Sequence, residues 1–492
     1  MTDHEQMRVR LQKREELIAS QVTAYPVAIE AVRSVRALKE EFGELQANEQ
    51  SEDSVFVAGR VMRLRHAGRI SFLVIQDSGG NRVQGLFSRA TIGDESHAEL
   101  KALVDLGDFI ELDGNPGASS TGEFSIFVNS WRVISKALRP LPNQHDALSE
   151  ETRSRQRYLE FLLNEDSRNR MRLRSKVIAG IRQAMDEDGF MEVETPMLQI
   201  QQGGATARPF STHSNALDAD LYLRIAPELF LKRAVVGGFH RVFEINRNFR
   251  NEGMDATHSP EFTMMEAYQA YADYNQMADL VEGLIRGASA HVAPLMGAES
   301  EDNIHAVSTL GESSNAWARI SLYESLSEAL NREITPETEL EVLVALGLEH
   351  GIKLDVPTPG KLVEELWEEL VKPALTAPTF VFDYPVDSSP LVAPHRSIVG
   401  LVEKWDLYID GFEIATGYSE LVDPVIQRER LEEQARLRTD GDDEAMRVDE
   451  DFLEALEHGM PPTGGIGIGI DRLLMVLSGR GIRDTVLFPL VK

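Results

Sequence analysis

From Val55 onward the chain falls into short runs in which apolar and polar residues alternate: VFVAGRVMRLR, ISFLVIQD, VQGLFS, DFIELDG and FSIFVNSWRVI, separated by Gly, Asn and Asp. Alternation with a period of two, bounded by turn residues, predicts β-strands. Five such strands ending near Ser135 suit a small closed barrel of the OB type; an immunoglobulin-like sandwich would normally need about seven. Ahead of the barrel, residues 5 to 20 carry helix formers with few breakers, which predicts a basic N-terminal helix. Behind it, residues 137 to 158 contain two prolines and mixed polarity and read as a linker. Residues 170 to 188, RMRLRSKVIAGIRQAMDED, have helical periodicity and stop before Gly189, a C-cap signal. The remainder mixes strands and helices, and between about 295 and 375 it turns helical and acidic, as in KLVEELWEELVKPAL, which reads as an insertion. The expected plan is therefore an α+β protein: a lead-in over 1–50, a barrel over 51–140, a linker over 141–165 and a larger domain over 166–492. No internal repeat is visible.

Composition changes this picture little. The 492 residues are 42% hydrophobic and 26% charged, ordinary for a globular chain of more than one domain. No run approaches the roughly 18 apolar residues of a membrane helix, and the start, MTDHEQMRVRLQKREE, lacks a signal-peptide core. The absence of cysteine excludes disulfides, thiolate metal sites and cysteine nucleophiles, and agrees with an expected cytoplasmic location. The net charge of −30 argues against a polyanionic partner, yet phosphate contacts depend on local patches. Two basic clusters stand out: Arg8, Arg10, Lys13 and Arg14, and Arg60, Arg63, Arg65 and Arg69. Each is equally compatible with a solvated face.

Three stretches carry candidate chemistry. In RVFEINRNFRNEGMDATHSPEFTMMEAYQAY (241–271), two antiparallel strands around a loop would set Arg250, Glu252, Glu266 and Tyr268 on one floor. Buried arginine and carboxylates need partners, which an anionic phosphate and a cationic substrate would supply; a structural salt-bridge network is the competing reading. In GGIGIGIDRLLMVLSG (464–479), Gly465, Gly467 and Gly469 alternate with isoleucines, so one strand face is bare before Asp471 and Arg472 open a helix. This is neither a P-loop nor a GxGxxG motif, and glycine packing at a strand–helix corner is the alternative. In KWDLYIDGFEIATGYSEL (404–421), Asp406, Glu413 and Glu420 lie amid apolar residues; hard oxygen ligands near phosphate suit magnesium, but acidic residues in so acidic a chain are usually surface.

Together these words resemble the class II aminoacyl-tRNA synthetases, specifically the lysyl type of bacteria. GFMEVETPML (189–198) resembles motif 1, FRNEG (249–253) motif 2 and GIGIGIDR (465–472) motif 3. GGATARPF (203–210), LYLRIAPELFLKR (221–233), THSPEFTMMEAYQAY (257–271), GYSEL (417–421) and RDTVLFP (483–489) are similar to lysyl-type words in the same order. No HIGH or KMSKS word of the class I enzymes occurs.

The resemblance implies a catalytic domain built on an antiparallel sheet flanked by helices, an anticodon-binding OB barrel, and a homodimer through Gly189–Pro196. It implies ATP, L-lysine and the lysine tRNA as substrates, with Mg2+ held by Asp406 and Glu413. Arg250 would contact the α-phosphate and the lysine carboxylate, as a guanidinium fork suits. Glu252 and His258 would hold adenine and phosphates, Phe262 would stack on the adenine, and Arg472 would cover its other face. Gly204 and Glu228 would hold the lysine α-amino group; Glu266, Tyr268 and Glu420 would surround its ε-ammonium. In the barrel, Phe72 and Gln84 would stack on and read the middle anticodon base, with Arg60 nearby and the basic helix at 8–14 meeting tRNA phosphate. Departures stand out at two places: Asp406 replaces a usual Glu, and Ala415-Thr416-Gly417-Tyr418 stands where Gly-Asn-Gly-Phe is common, Thr416 being shorter than the amide it replaces at the carboxylate end. The alternatives are a sibling synthetase for aspartate or asparagine, a ligase that places lysine on protein, and a silent or inhibitor-tolerant paralogue.

Overall fold

The structure is a computed structural model that describes residues 3–20, 25–29, 32–142, 148–292, 310, 316–354, 357–439 and 445–491. It divides into two compact units, Met1–Glu165 and Asp166–Lys492.

In the first unit, strands β1 (Val55–Ala67), β2 (Ile70–Gln76), β3 (Arg82–Ser88), β4 (Phe109–Ala118) and β5 (Phe124–Ser135) close into a barrel in the order β1-β2-β3-β5-β4. The alternation read from the sequence sorts the faces: Val55, Val57, Val61, Leu73, Ile75, Val83 and Phe87 fill the interior. β1 serves two neighbours by bending. It pairs with β4 from Val55 to Arg60 and with β2 from Arg60 to Ala67, with a register shift between Val61 and Arg63. Gly59 allows that turn of the wall, since a Cβ there would stand 2.7 Å from the Gln76 carbonyl oxygen.

The N-terminal helix Asp3–Ala19 forms as the sequence predicts, but its basic face is largely committed to the protein. Buried Arg10 donates to the carbonyls of Leu106 (2.9 Å) and Ala137 (3.0 Å), and Lys13 pairs with Asp105 at 2.7 Å. Two of the four cations expected to face tRNA phosphate therefore dock the helix instead; Arg8 remains exposed. The stretch read as a linker contains two short helices, Glu150–Arg155 and Arg157–Leu163, while residues 143–147 of it lie outside the described residues.

Among the described residues the second unit has eleven strands: β6 (Met191–Glu192), β7 (Leu198–Gln199), β8 (Ser211–Ser214), β9 (Ala219–Leu223), β10 (Arg241–Phe249), β11 (Glu261–Ala270), β12 (Ala318–Ser321), β13 (Thr379–Pro385), β14 (Leu401–Ile409), β15 (Phe412–Ser419) and β16 (Thr463–Gly469). Eight form one sheet in the order β12-β13-β14-β15-β16-β11-β10-β6, and β7, β9 and β8 form a small second sheet. The expected antiparallel sheet is in fact mixed: its middle is antiparallel, but β12 runs parallel to β13 and β6 parallel to β10. A parallel pair needs a long crossover. The helical, acidic stretch read as an insertion supplies that crossover, through helices Leu322–Leu330, Leu340–Glu349 and Pro359–Leu370. Its expected beginning near residue 295 lies outside the described residues.

One sheet face is covered by helices Glu165–Glu187, Tyr274–Val292 and Ile470–Ser478, which bury Phe243, Met265, Ala267, Trp405, Ile466 and Ile468. The first of these helices presents Leu173, Val177, Ile181 and Met185, one per turn. It stops as predicted at Gly189, whose φ of 76° is left-handed, and the Phe190 N–H returns to the Met185 carbonyl at 2.9 Å. Residues of opposite parity point to the other face, where the candidate site lies.

Candidate active site

The bare strand β16 organises the site. It lies between β11 and β15, with Gly467 opposite Glu266 and Thr416, and Gly465 opposite Tyr268 and Tyr418. With no side chains of its own on that face, β16 lets those of its neighbours converge. A Cβ at Gly465 would stand 1.9 Å from Glu420 Oε1 and 2.7 Å from the Tyr268 ring, so glycine is required there by contact.

Two cavities adjoin on this floor. The first, about 190 Å3, is lined by Gly204, Glu228, Arg250, Glu266, Tyr268, Lys404, Thr416 and Tyr418 among others. The second, about 330 Å3, is lined by Arg250, Glu252, His258, Phe262, Asp406, Glu413 and Arg472 among others. The linings of the two cavities include all the candidate catalytic-domain residues except Glu420, whose buried carboxylate packs beside the Tyr268 ring over Gly465.

In the first cavity Glu266 and Tyr268 are both buried, and the Tyr268 hydroxyl donates to Glu266 Oε2 at 3.3 Å. Burial pushes the Glu266 carboxyl well above the usual carboxylate range; the charge of Glu228 adds to this and Arg250 opposes it. Gly204, at φ 87°, packs against Glu228, where a Cβ would be 3.0 Å from the Glu228 Cβ. Glu228 opens the helix Glu228–Val236 and one turn later meets Lys232, whose ammonium lies 2.6 Å from Glu228 and 2.5 Å from Glu420. Burial opposes the charge on Lys232, but the two carboxylates outweigh it and hold the lysine protonated. Glu420 thus shares Lys232 with Glu228; burial raises its pKa against the Lys232 charge, and its Oε1 has no hydrogen-bond partner. In and around this cavity the carboxylates of Glu228, Glu266 and Glu420 stand near the cations Lys232, Arg250 and Lys404.

The second cavity also departs from the single floor expected for motif 2. β10 ends at Phe249, so Arg250 and Glu252 stand on the loop beyond it, and Glu252 lines only the second cavity, apart from Glu266. The Arg250 guanidinium lies 5.2 Å from the Phe262 ring centroid. Arg472 donates to the Glu413 carbonyl at 3.0 Å, and its Nη2 is 3.2 Å from His258 Nε2. His258 is itself held by Asp255, which accepts from the backbone N–H groups of Thr257 (2.7 Å) and His258 (2.8 Å). Those bonds, led by the one from Thr257, hold the Asp255 carboxyl below its ordinary range.

Asp406 and Glu413 reach the same cavity wall from β14 and β15. Asp406 Oδ2 is 3.1 Å from Lys404, whereas Oδ1 is buried without a hydrogen-bond partner, and Glu413 is half-exposed. No cluster of three or more His, Cys, Asp or Glu with metal-binding geometry occurs among the described residues. Two hard oxygen donors, one of them orphaned, fit an ion such as Mg2+ that keeps waters and phosphate oxygens as its remaining ligands.

Sequence reading missed Lys232, Lys404 and Arg174, and named Asp471 only as the start of a helix. Asp471 is 2% exposed, accepts from Thr263 N–H at 2.7 Å and pairs with Arg174, which also donates to Thr263 Oγ1 at 2.7 Å. That knot ties the helix carrying Arg472 to β11 and to the long helix behind the sheet. Only Lys232 left a sequence signal, its spacing of four from Glu228.

In the barrel unit, Phe72 is paired with Arg65 and Leu86, and Val74 with Arg63 and Gln84. These side chains point outward, away from Leu73 and Ile75, so Phe72 is half-exposed wall and not barrel core. Gln84 donates to Ser125 Oγ at 3.0 Å. Arg60 shares this face but is half-buried, 4.3 Å over the Phe109 ring and bonded to the Gly107 carbonyl at 3.1 Å; burial lowers its pKa.

A bare-floored, mostly antiparallel sheet with an arginine at the junction of two cavities, in a chain that also carries an OB barrel, defines a class of nucleotide-dependent, RNA-binding enzymes. The family model for class II tRNA synthetases (D, K and N) matches residues 149–492, and that for OB-fold nucleic acid binding domains matches 55–134. The chain belongs to the class II tRNA synthetases of this group. It is 53% identical to a lysine–tRNA ligase of Kineococcus radiotolerans and 51% identical to one of Mycolicibacterium gilvum, each over 99% of this chain and 97% of the relative. It is also 45% identical to a lysylphosphatidylglycerol biosynthesis bifunctional protein of Mycobacterium ulcerans, over 99% of this chain but 43% of that protein. No described helix is long and apolar enough to cross a membrane.

Proposed function

We infer that this chain is a lysine–tRNA ligase, which activates L-lysine with ATP and transfers it to the 3′ end of its tRNA. The observation that carries the reading is Glu266: a buried carboxylate without a cationic partner in contact, in a cavity that adjoins a second one lined by Arg250, Phe262 and Arg472. Lysine carries two ammonium groups and one carboxylate, and the first cavity offers the carboxylates of Glu228 and Glu266 to the former and Arg250 to the latter. A neutral side chain would leave Glu266 unpaired, and an aspartate would set like charges together.

Lysine would lie with its ε-ammonium among Glu266, Tyr268 and Glu420 and its α-amino group at Glu228 and Gly204, leaving its carboxylate at Arg250 near Thr416 and Tyr418. ATP would occupy the second cavity with adenine between Phe262 and Arg472 and its phosphates near Glu252, His258 and Arg250. Asp406 and Glu413 would hold Mg2+, which supplies charge neutralisation to the phosphates. No protein nucleophile is needed; positioning and fixed positive charge do the work. Tyrosine and glutamate acceptors reject analogues lacking the ammonium because their own charges would stay unpaired.

The outward face of Phe72, Val74 and Leu86, edged by Arg63 and Arg65, supports anticodon binding with Gln84 as a reader. Exposed Met191, Met197, Leu198 and Ile200 around motif 1 support a homodimer. The cytoplasm is the compartment in which such an enzyme meets its tRNA.

Exchange of labelled pyrophosphate into ATP, without tRNA, is expected with lysine and not with aspartate; the reverse result would overturn the substrate assignment. For the barrel, Phe72→Ala should lower the kcat/KM of tRNA charging about 5- to 100-fold, the worth of one stacked base, with tRNA-free exchange unchanged. Equal loss in both assays would remove Phe72 from the tRNA site.

A further inference from the structure

Adenylation joins a carboxylate oxygen of the amino acid to the α-phosphorus of ATP, so under the ligase reading the reacting groups meet where the two cavities join. Six residues line both: Arg250, Met264, Lys404, Thr416, Tyr418 and Gly467. Only Arg250 and Lys404 among them are cations. Met264 and Gly467 offer no polar donor from a side chain, and the Thr416 hydroxyl is turned to the Trp405 carbonyl at 3.4 Å. Arg250 follows β10, while Lys404 stands on β14, on the other side of the bare strand β16. Lys404 is opposite Tyr418 in register, and its ammonium sits 4.0 Å over the Tyr384 ring and 3.1 Å from Asp406 Oδ2. Its side chain is only 16% exposed. An ammonium carries three donors, and a single carboxylate within ion-pair distance leaves donors for the junction, with Glu364 and Glu413 farther off.

We propose that Lys404 is the second substrate-binding cation of the adenylation centre: it holds the carboxylate of the amino acid from the side of β16 opposite Arg250. In this arrangement Thr416, too short and already engaged, is not needed for the carboxylate. As the carboxylate oxygen bonds to the α-phosphorus, the bond from that phosphorus to the bridging oxygen breaks and pyrophosphate leaves with the electron pair. No proton moves. What the protein adds is positive charge fixed where the attacking carboxylate and the α-phosphate oxygens crowd, and Lys404 with Arg250 supplies it from two sides.

The test is calorimetric binding of lysine and of lysinamide, which lacks the carboxylate charge, without ATP or metal, to the full-length protein and to Lys404→Met. Lysine is expected to bind the variant about 10- to 100-fold more weakly, the worth of a charge-assisted hydrogen bond, while lysinamide binds both proteins alike. Lys404→Arg should recover part of the preference for lysine. Equal losses for the two ligands, as a merely structural role would produce, or no loss for either, would overturn the proposal. Should Lys404→Met not fold, Lys404→Gln carries the same comparison, because its amide still donates to Asp406 but brings no charge. Failure of lysine to bind the unaltered protein would instead overturn the ligase reading itself.

Discussion

Replacing Arg250 by lysine is expected to lower the kcat of lysine-dependent pyrophosphate exchange about 1000-fold, with the KM for ATP changed far less. Arg250 is the arginine that lines both cavities, no described carboxylate lies within ion-pair distance of it, and its Nε has no hydrogen-bond partner. Its guanidinium is therefore uncommitted. A planar fork can bond an oxygen of the carboxylate and one of the α-phosphate at once and keep both bonds while the new bond forms; an ammonium is a point charge that cannot. The loss should fall on the chemical step, since charge accumulates at these oxygens in the transition state. Steady-state exchange kinetics with fluorescence titration of ATP separate the two effects. A variant whose kcat stays within tenfold while its ATP affinity collapses would assign Arg250 to ground-state binding alone.

Glu266→Gln should act on the other substrate. Removing one member of a buried ion pair costs about 3–5 kcal/mol, which corresponds to roughly 100- to 5000-fold weaker lysine binding, with ATP binding nearly unaffected. A proton signature accompanies this. In the ligand-free pocket, burial and then Glu228 raise the pKa of Glu266, and an arriving ε-ammonium favours the ionised form. Lysine binding should thus release protons and weaken as the pH falls through the raised pKa of Glu266, because a protonated carboxyl gives the ammonium no charge. In Glu266→Gln the release should disappear. Calorimetry in buffers of different ionisation enthalpy measures it, and unchanged proton release in the variant would place the titrating group elsewhere.

Both predictions depend on a site that was partly legible in the chain. GGIGIGID announces a strand with one bare face, and in the structure Gly465 and Gly467 are that face. EFTMMEAY puts Phe262, Met264, Glu266 and Tyr268 on one side by alternation alone, and all four line the cavities. The barrel strands and the stop at Gly189 were legible for the same reason. The partners of charged side chains were not. Nothing in the sequence says that Glu420 and Glu228 share Lys232. Arg10 and Lys13 read as phosphate contacts until Leu106, Ala137 and Asp105 are found beneath them. The acidic stretch after residue 316 reads as an insertion because nothing local announces that β12 and β13 run parallel.

The chain by itself determined which elements form, which side chains share a face and which chemical groups are available, because these follow from periods of two and 3.6 and from backbone limits at glycine, all local properties. The tertiary structure alone decided which charges remain for a substrate. Glu228, Glu266, Glu420, Lys232, Arg250 and Lys404 come from segments far apart in the chain, and whether a carboxylate is neutralised or left facing a cavity depends on Coulomb energies that vary over a few ångströms in a low-dielectric interior. Apart from the four-residue step from Glu228 to Lys232, sequence spacing carries no record of those distances.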